Sequence, residues 1–270
     1  MKTEIFYYSG TGNSLAVAKE LQARLPGSRL IPLVALLASD RILADAELVG
    51  LVFPVYAFGL PAPVREFLDR LELGPARSAF ALATRGGSPC AVFSEIDSIL
   101  RKKGRSLGSR AFIDMPSNAV GMHELDPPEE TARKERAMKS DVEAFATALL
   151  EDRQFRRRDP HGNFLKERLL FPVIGTLARA TDYMGAARSF YAEPSCTGCG
   201  ICSDVCLSRR IEMVGGRPRW RSEPACHFCL ACLNYCPSRS VQVGALKTAS
   251  AGRYHHAAVG YREIAGQKRS

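Results

Sequence analysis

Residues 7–25 have the sequence YYSGTGNSLAVAKELQARL: the end of an apolar strand, a glycine-rich turn and a run with helical spacing. Glycines between a strand and a helix let the backbone approach a phosphate closely. The turn contains no lysine, which argues against a nucleoside-triphosphate loop, and Leu15 stands where a dinucleotide-binding turn carries its third glycine. The stretch therefore predicts a strand, loop and helix that hold a phosphate with amides and hydroxyls.

Apolar runs typical of strands recur through the first half of the chain, at residues 4–8, 29–33, 48–55, 79–84 and 107–114. Segments with helical spacing separate them, and a further helix is predicted over 127–155, with two prolines and acidic residues at its start. Strands that alternate with helices form a parallel sheet with helices on both faces. The predicted fold class of this half is a doubly wound α/β domain.

The 270 residues, 46% of them hydrophobic, are enough for one large domain and a smaller one. We predict an α/β domain over 1–155, a linker or bracing helical segment over 156–189, a small cysteine-rich domain over 190–247 and a C-terminal tail over 248–270. Within 164–188, a brace between the domains is the main interpretation, and a helix on a membrane surface is the alternative. Pro172 and Gly175 interrupt the segment and weaken that alternative.

Eight of the nine cysteines fall between residues 196 and 236, in two copies of one pattern. The copies, CTGCGICSDVCLSRRIEM and CHFCLACLNYCPSRSVQV, carry cysteines at the same offsets, with a period of 30 residues. Each has the spacing C-x2-C-x2-C-x3-C, in which three closely spaced thiolates wrap one face of a cubane cluster. The duplication predicts two similar units that pack with approximate two-fold symmetry.

The doubled pattern over about 190–247 resembles a bacterial two-cluster ferredoxin, which is a small α+β domain. In that family the fourth ligand of each cluster comes from the other copy, so the resemblance implies two [4Fe-4S] clusters with crossed ligands. The first would be held by Cys196, Cys199, Cys202 and Cys236, and the second by Cys226, Cys229, Cys232 and Cys206. Leu207 stands where the family has a proline, and we expect a changed turn there without loss of the cluster.

Zinc and disulfide bonds are the alternatives for these cysteines. Structural zinc sites usually place two ligand pairs on either side of a longer loop, whereas the four cysteines of each copy lie within eleven residues. Disulfides are typical of exported chains, and the start MKTEIFYY has no features of a signal peptide. His227, inside the second copy, is interpreted as a solvent-facing neighbour of the cluster loop, with a ligand or proton-coupled role as the alternative.

The stretch SGTGNS resembles the phosphate loop of a flavodoxin, a family that binds FMN on a doubly wound sheet of strand order 2-1-3-4-5. The resemblance implies that Ser9, Thr11, Asn13 and Ser14 donate to the FMN phosphate, and that Gly10 and Gly12 allow its close approach. The family's ring-binding loops match FPVYAFGLPAP, with Pro54, Val55, Tyr56, Ala57 and Phe58, and ATRGGSPC, with Thr84, Arg85, Gly86 and Gly87. Asn118, after the fifth strand, would line the same crevice.

Two residues of the second ring-binding loop need separate interpretation. Arg85 would either stack on the flavin or stabilise its anionic reduced form, or else it would face solvent. Cys90 is predicted to be a buried structural thiol, because no histidine or acidic partner is near it in sequence.

The formal net charge of +9 overstates the basicity of a chain that holds thiolate-bound clusters and a flavin phosphate. We expect redox proteins as electron donor and acceptor. Exposed arginines would steer an acidic partner, and a solvated basic face is the alternative. We predict no nucleic-acid partner and no transmembrane segment, and reduced thiols favour a cytoplasmic location. The sequence makes no prediction of oligomeric state.

FMN accepts two electrons, whereas each cubane cluster carries one. The two resemblances together predict a flavo-iron-sulfur electron-transfer protein that couples two-electron FMN chemistry to one-electron clusters. The alternative is an FMN-dependent reductase of a small molecule, such as a quinone or a nitro compound, to which the clusters supply electrons. That enzyme would need an open pocket over the flavin, bordered by Tyr56, Phe58, Arg85 and Asn118.

Overall fold

Five parallel strands form the central sheet of the first domain in the computed structural model, which describes residues 2–87, 90–159, 162 and 165–269. The strands are β1 (Thr3–Tyr7), β2 (Ser28–Pro32), β3 (Leu48–Pro54), β4 (Ser78–Arg85) and β5 (Leu107–Asp114). Their order across the sheet is β2-β1-β3-β4-β5, and all neighbouring pairs are parallel. This is the doubly wound order of flavodoxin-like domains, so the predicted fold class is confirmed.

Helices cover both faces of this sheet. The longer ones are α1 (Asn13–Arg24), α2 (Ala62–Arg70), α3 (Val92–Lys102) and α4 (Pro128–Leu150), and a short helix spans Leu33–Leu36. Strand β3 is buried along its whole length, as expected for a parallel strand with helices on both sides. A further pair of very short strands, Ile42–Leu43 with Leu71–Glu72, lies outside the main sheet.

Packing at the centre of the sheet explains a glycine inside β3. A Cβ atom on Gly50 would lie 2.1 Å from the ring of Phe80, on the neighbouring strand. That ring makes an edge contact with Phe145 of α4, with ring centroids 5.7 Å apart. The aromatic ring therefore fills the space that a side chain at position 50 would need.

The cysteine-rich domain consists of two short antiparallel strand pairs and two helical turns. Its strands are β6 (Phe190–Ala192), β7 (Ile211–Val214), β8 (Arg217–Trp220) and β9 (Val241–Val243), and its helical turns span Ile201–Asp204 and Ala231–Asn234. Strand β6 pairs with β9, and β7 forms a hairpin with β8.

The 30-residue repeat is visible in the backbone of this domain. Each helical turn follows a residue in the left-handed conformation, Gly200 (φ 78°) in the first copy and Leu230 (φ 56°) in the second. Arg209 and Arg239 are also left-handed at matching positions, with φ of 56° and 53°. In both copies the N–H of this arginine donates to the carbonyl of the last cysteine. The duplicated sequence therefore folds into duplicated local geometry.

The segment between the domains contacts both of them. A π-helical turn (Lys166–Leu170) leads into α5 (Phe171–Ala180), and a 3-10 turn follows at Ala186–Arg188. Phe171 stacks on Phe58 of the α/β domain, with ring centroids 4.9 Å apart. Tyr183 stacks on Phe228 of the cysteine-rich domain at 4.5 Å. Residues 160, 161, 163 and 164 of the predicted linker lie outside the described residues.

The same segment exposes a row of apolar side chains. Leu165, Leu169, Val173 and Leu177 recur every four residues, and each is between 60% and 64% exposed. Over the described part of the chain, the structure contains no helix with both the length and the apolar character needed to cross a membrane.

The C-terminal segment, predicted as a tail, is packed and ends in a helix. Helix α6 (Tyr261–Gly266) begins after Gly260, whose N–H donates to the carboxylate of Glu263 at 3.0 Å. Ile264 and Gln267 are fully buried, each with 0% exposure. This segment is therefore part of the folded molecule.

Candidate functional site

The loop of residues 9–14 lies at the carboxyl end of β1, the edge at which doubly wound sheets bind ligands. Its hydroxyl groups are buried, and those of Ser14 and Thr11 are hydrogen-bonded to residues of other segments. The hydroxyl oxygens of Ser14 and Thr84 lie 2.7 Å apart, and the Asn118 amide donates to the hydroxyl oxygen of Thr11. The structure thus brings together residues that we predicted from three separate loops.

The C-terminal segment supplies further partners of this loop. The N–H of Ser9 donates to Gln267 Oε1 at 2.9 Å, and Gln267 Nε2 donates back to the Ser9 carbonyl at 2.8 Å. The Tyr254 hydroxyl donates to Asn13 Oδ1 at 2.9 Å, while Asn13 Nδ2 donates to the carbonyl of Pro116 at 2.9 Å. Both ends of the Asn13 side chain are therefore engaged.

The space beside the two loop glycines is also filled by protein. A Cβ atom on Gly10 would lie 2.7 Å from the carbonyl oxygen of Cys229. One on Gly12 would lie 2.9 Å from the Cβ atoms of His256 and Val259. Protein atoms therefore occupy the space beside both glycines, where the close approach of a phosphate was predicted.

Protein contacts likewise hold the first predicted ring-binding loop. The N–H of Val55 donates to the Thr84 carbonyl, and Ala57 and Phe58 adopt the left-handed conformation, with φ of 45° and 63°. Phe58 presents its ring face to Phe171, as described above. Burial raises the pKa of the Tyr56 hydroxyl well above its usual value. The two aromatic rings are thus used in packing.

Arg85 occupies neither of the two positions expected for it. Its side chain is 4% exposed, its Nε donates to Asp114 at 2.8 Å, and its Nη2 donates to Asp159 at 2.7 Å. The guanidinium also lies 4.1 Å from the centre of the Phe112 ring. Burial lowers its pKa, but the bonds to Asp159 and Asp114 outweigh burial and raise it. Bonds to two carboxylates hold the Arg85 side chain, which ties β4 to the end of β5 and to residue 159.

The second ring-binding loop otherwise remains open beside Gly86 and Gly87. A Cβ atom on either glycine would meet no described atom within 4 Å. Cys90, at the end of this loop, is buried with 3% exposure, in agreement with the structural role expected for it.

The ferredoxin resemblance divides the eight cysteines of the repeat into two groups that each combine both copies, and thiols of the two copies affect one another's pKa. Cys202 of the first copy lies near Cys196 and Cys199 of that copy and near Cys236 of the second. Burial raises the pKa of Cys202 to about 12, and the charges of the other three thiols add to this. We refer to these four residues as the first cysteine group.

The second cysteine group consists of Cys226, Cys229, Cys232 and Cys206. Burial raises the pKa of Cys229 to about 12, and it also raises the pKa of Cys226 and of Cys232. In all three cases the charge of Cys206, from the other copy, contributes to the increase. The charge of Cys202, from the first group, also contributes to the raised pKa of Cys232.

Each group has the number and kind of ligands that a [4Fe-4S] cluster takes. Within the described ranges, no three His, Cys, Asp or Glu side chains converge closely enough to hold a single metal ion. A cubane cluster does not require such convergence, because each of its cysteines binds a different iron.

A buried arginine accompanies the second cysteine group. Arg210 is 4% exposed, and its side chain donates to the carbonyls of Ala187 at 3.1 Å and Arg221 at 2.8 Å. Its positive charge opposes the effect of burial on the pKa of Cys226. Our sequence reasoning missed this residue. The sequence does mark Arg210, because it breaks the repeat: Ser240 occupies the matching position of the second copy.

The second cysteine group lies in the crevice of the α/β domain. Besides the contact of Cys229 with Gly10, the Tyr8 hydroxyl lies 3.4 Å from His227 Nδ1. Tyr8 is fully buried, and His227 packs against its edge instead of facing solvent, with ring centroids 5.9 Å apart. Burial lowers the pKa of His227 to about 4, so this imidazole is neutral near pH 7. Tyr8 was missed as a site residue, although it directly precedes the glycine-rich turn.

The first cysteine group reaches the surface. Cys199 is exposed, and its loop lies against the turn of the β7–β8 hairpin, where a Cβ on Gly198 would be 2.5 Å from the Gly216 carbonyl. The hairpin carries the exposed arginines Arg217 and Arg219. A basic surface therefore flanks the exposed cysteine.

Replacing Ser14 by alanine is expected to lower the free energy of unfolding by about 1–3 kcal/mol, because the buried Thr84 hydroxyl loses its partner. Replacing both residues, as in Ser14→Ala/Thr84→Val, removes both polar groups and should cost less than the single change. Urea unfolding measures both values. A double variant that is less stable than Ser14→Ala would contradict this pairing.

Comparisons with known proteins agree with the two-part architecture. Residues 195–241 match a family model described as a 4Fe-4S dicluster domain. No protein with a curated description matches the chain.

Solved structures with a similar arrangement cover the first half of the chain. A flavodoxin from the domain Archaea is 16% identical, with 54% of this chain and 99% of that chain covered and a TM-score of 0.35. An azoreductase from Bacillus anthracis Sterne is 12% identical, with 54% and 99% covered and a TM-score of 0.39. An FMN-dependent NADH-azoreductase from Bacillus anthracis Ames Ancestor, in complex with FMN, is 13% identical, with 55% and 99% covered and a TM-score of 0.37.

The chain therefore joins a flavodoxin-like α/β domain, identified by its sheet order, to a 4Fe-4S dicluster domain. A domain of the second kind carries clusters whose chemistry is redox electron transfer.

Proposed function

We propose that this protein transfers electrons through two [4Fe-4S] clusters, one at the surface and one in the crevice of the α/β domain. The observation that carries the proposal is the doubled cysteine pattern, which matches a 4Fe-4S dicluster domain over residues 195–241 and in which Cys236 would join the first copy and Cys206 the second. The bacterial two-cluster spacing requires this exchange of fourth ligands. When bound, each cluster supplies one-electron redox chemistry.

The surroundings of the two groups give them different roles. The second group lies beside Tyr8 and His227, with Cys206 and Cys232 buried and Cys226 and Cys229 partly buried, and Arg210 places a positive charge next to it. A positive charge favours the reduced state of a neighbouring cluster, and burial of the thiolates disfavours it. The first group, with Cys199 exposed, is the one that a redox partner can approach. The effect of Cys202 on the pKa of Cys232 links the two groups.

The partner proposed for the exposed group is an acidic redox protein. The hairpin beside Cys199 presents Arg217 and Arg219 to solvent. Arg219 is 73% exposed, and its only described ion pair is a long one, 4.0 Å to Glu212. Exposed charges of this kind steer association and change its rate more than its final affinity.

The Arg219→Glu variant is expected to associate roughly threefold to tenfold more slowly with an acidic plant-type ferredoxin at low salt. The matched control is Arg77→Glu, an equal change of charge directly before β4, at the opposite end of the strands from the cysteine groups. Stopped-flow electron transfer at low salt and near 1 M salt measures the rates. The difference should vanish at high salt, where the screening length is about 3 Å. Equal slowing by both variants would contradict a specific basic docking surface.

The sequence also predicts that the clusters exchange electrons with a bound FMN. It requires loop 9–14 to exchange its present partners, among them Gln267 and Tyr254, for a phosphate. The flavin content of the anaerobically purified protein tests it directly. One FMN per chain would support coupling.

The alternative function, reduction of a quinone or nitro compound over a flavin, needs a pocket bordered by four side chains. In the structure Tyr56 is partly buried, Phe58 is stacked on Phe171, and Arg85 is paired with two aspartates. Asn118 bonds to Thr11. The four side chains therefore contact other protein groups instead of bordering an open pocket. This arrangement favours the electron carrier over the enzyme.

Anaerobic reconstitution and stopped-flow reduction test the proposed function. The protein should hold about eight iron per chain. A reduced ferredoxin should bleach the cluster absorbance, and the reduced protein should pass these electrons to a second redox protein. Zinc in place of iron would contradict electron transfer. Saturating turnover of a quinone or nitro compound would favour the enzyme.

A further inference from the structure

The crevice at the carboxyl edge of the sheet is occupied by a segment of the chain itself. In doubly wound domains this is the place of the ligand, and the loop at residues 9–14 has the glycines and hydroxyls of an anion site. In this protein the C-terminal segment, residues 253–267, lies directly on that loop.

The contacts on the loop are specific hydrogen bonds. Gln267 satisfies both backbone groups of Ser9, with distances of 2.9 and 2.8 Å. The N–H of His256 donates to the Thr11 carbonyl at 2.9 Å. With the bond from Tyr254 to Asn13, three residues of the segment bind three residues of the loop.

The segment also fills the volume that a phosphate would take. His256 and Val259 are 6% and 1% exposed, and their Cβ atoms lie against Gly12. Because Gly12 has φ of 100°, the loop needs a glycine there for its conformation, and the bare Cα admits the segment's side chains. On the other side of the loop, the backbone of Cys229 closes over Gly10.

Hydrogen bonds hold the segment along its length. The N–H of Tyr254 donates to Asn234 Oδ1 at 2.9 Å, and the Tyr235 hydroxyl donates to the Val259 carbonyl at 3.0 Å. Near its end, Lys268 is bound through its carbonyl by Arg209 at 2.8 Å. These three anchors belong to the cysteine-rich domain. The segment therefore ties that domain to the α/β loop.

We propose that the C-terminal segment is the permanent occupant of the phosphate loop, in place of a flavin. In this arrangement the flavodoxin-like domain holds no FMN, and it acts as a platform that fixes the second cysteine group in its crevice. Gln267 satisfies the N–H and the carbonyl of Ser9, and the Tyr254 hydroxyl satisfies Asn13 Oδ1, so neutral groups of the segment bond to the loop where a phosphate was predicted. The iron content of the protein does not depend on this proposal, so its failure and the failure of the proposed function are separable.

The first experiment measures flavin on the full-length protein, reconstituted anaerobically and assayed for iron. We expect no flavin in an acid extract, and no saturable quenching of FMN fluorescence on titration up to millimolar FMN. One FMN per chain, or saturable binding with a stoichiometry of one, would overturn the proposal.

The second experiment tests the segment itself by hydrogen exchange of the amides in residues 9–14. The Gln267→Ala/Tyr254→Phe variant removes two of the three bonding partners, and Arg262→Ala changes an exposed residue of the same segment as the matched control. Exchange of the loop should accelerate at least tenfold in the double variant and remain unchanged in the control, with iron content preserved in both. Unchanged exchange in the double variant would overturn the proposal.

Discussion

Replacing Cys206 by alanine is expected to remove one of two [4Fe-4S] centres, the one whose other three ligands lie in the opposite copy of the repeat. The reduced protein should show about two such centres per chain by quantitative electron paramagnetic resonance, and the variant about one. The physical reason is the position of Cys206 beside Cys226, Cys229 and Cys232. Cys90→Ala, outside the repeat and buried, is the control and should retain both centres.

Pairs of substitutions separate crossed from uncrossed ligation. If the groups are crossed, Cys206→Ala/Cys232→Ala affects a single cluster and leaves about one centre per chain, whereas Cys206→Ala/Cys202→Ala affects both and leaves none. If each copy held its own cluster, the two results would be exchanged. The exchanged pattern would contradict the proposed ligand assignment while leaving the dicluster domain in place.

The Gly10→Ala variant is expected to loosen the contact between the two domains, with a loss of about 1–3 kcal/mol in the free energy of unfolding. The added methyl group would lie 2.7 Å from the Cys229 carbonyl oxygen and 2.8 Å from the Tyr56 hydroxyl, closer than real carbon atoms approach such neighbours. Tyr56 is partly buried and packs against Tyr8, and the backbone of Cys229 would be fixed by its cluster, so the backbone contact cannot relax freely. Thermal unfolding and the rate of cluster loss to a chelator measure the effect.

The matched control for this variant is Gly86→Ala, at the edge of the same crevice. A Cβ at position 86 meets no described atom within 4 Å, and Gly86 does not adopt a left-handed conformation. The control should change stability by less than about 0.5 kcal/mol, or raise it slightly because alanine restricts the unfolded chain. If Gly10→Ala proves as harmless as Gly86→Ala, the cluster loop does not rest on Gly10 in solution.

The second cysteine group lies against the α/β domain, and both variants probe this arrangement. Tyr8 and Gly10 come from the end of β1 and the loop after it, and they meet His227 and Cys229 of the second copy. A cluster held there would be less accessible to solvent than one held beside the exposed Cys199. Shielding of one cluster and exposure of the other would make their reduction potentials differ.

Most of the fold was predictable from the sequence. The strand runs at 48–55 and 107–114, for example, correspond to β3 (Leu48–Pro54) and β5 (Leu107–Asp114). Such runs are visible because a parallel strand buried on both faces must be apolar along its length. The C-terminal helix α6 was not predicted, since six residues carry too little periodicity to distinguish a helix from a tail.

The site was predictable in part, and Arg85 shows what the sequence could not predict. Its neighbours along the chain suggested a residue on the flavin or in solvent. Its actual partners, Asp114 and Asp159, lie 29 and 74 residues away in sequence. Tertiary contact between distant charges decided its direction, and no local pattern records such a contact. The same holds for Tyr8, whose role depends on a histidine more than 200 residues later in the chain.

The sequence by itself determined the doubled cysteine pattern and the alternation of strands and helices, because both depend on spacing along the chain, and the strand order followed from the flavodoxin resemblance. Thiolates that wrap a cubane must follow one another at fixed short intervals, and strands and helices must alternate with the periods of their own geometry. The occupant of the loop at residues 9–14 was decided only by the tertiary structure. A glycine-rich turn offers amides and space to a phosphate or to a glutamine side chain alike. The choice between them depends on where a segment some 250 residues away folds back, and here Gln267 binds Ser9 with a sequence separation of 258.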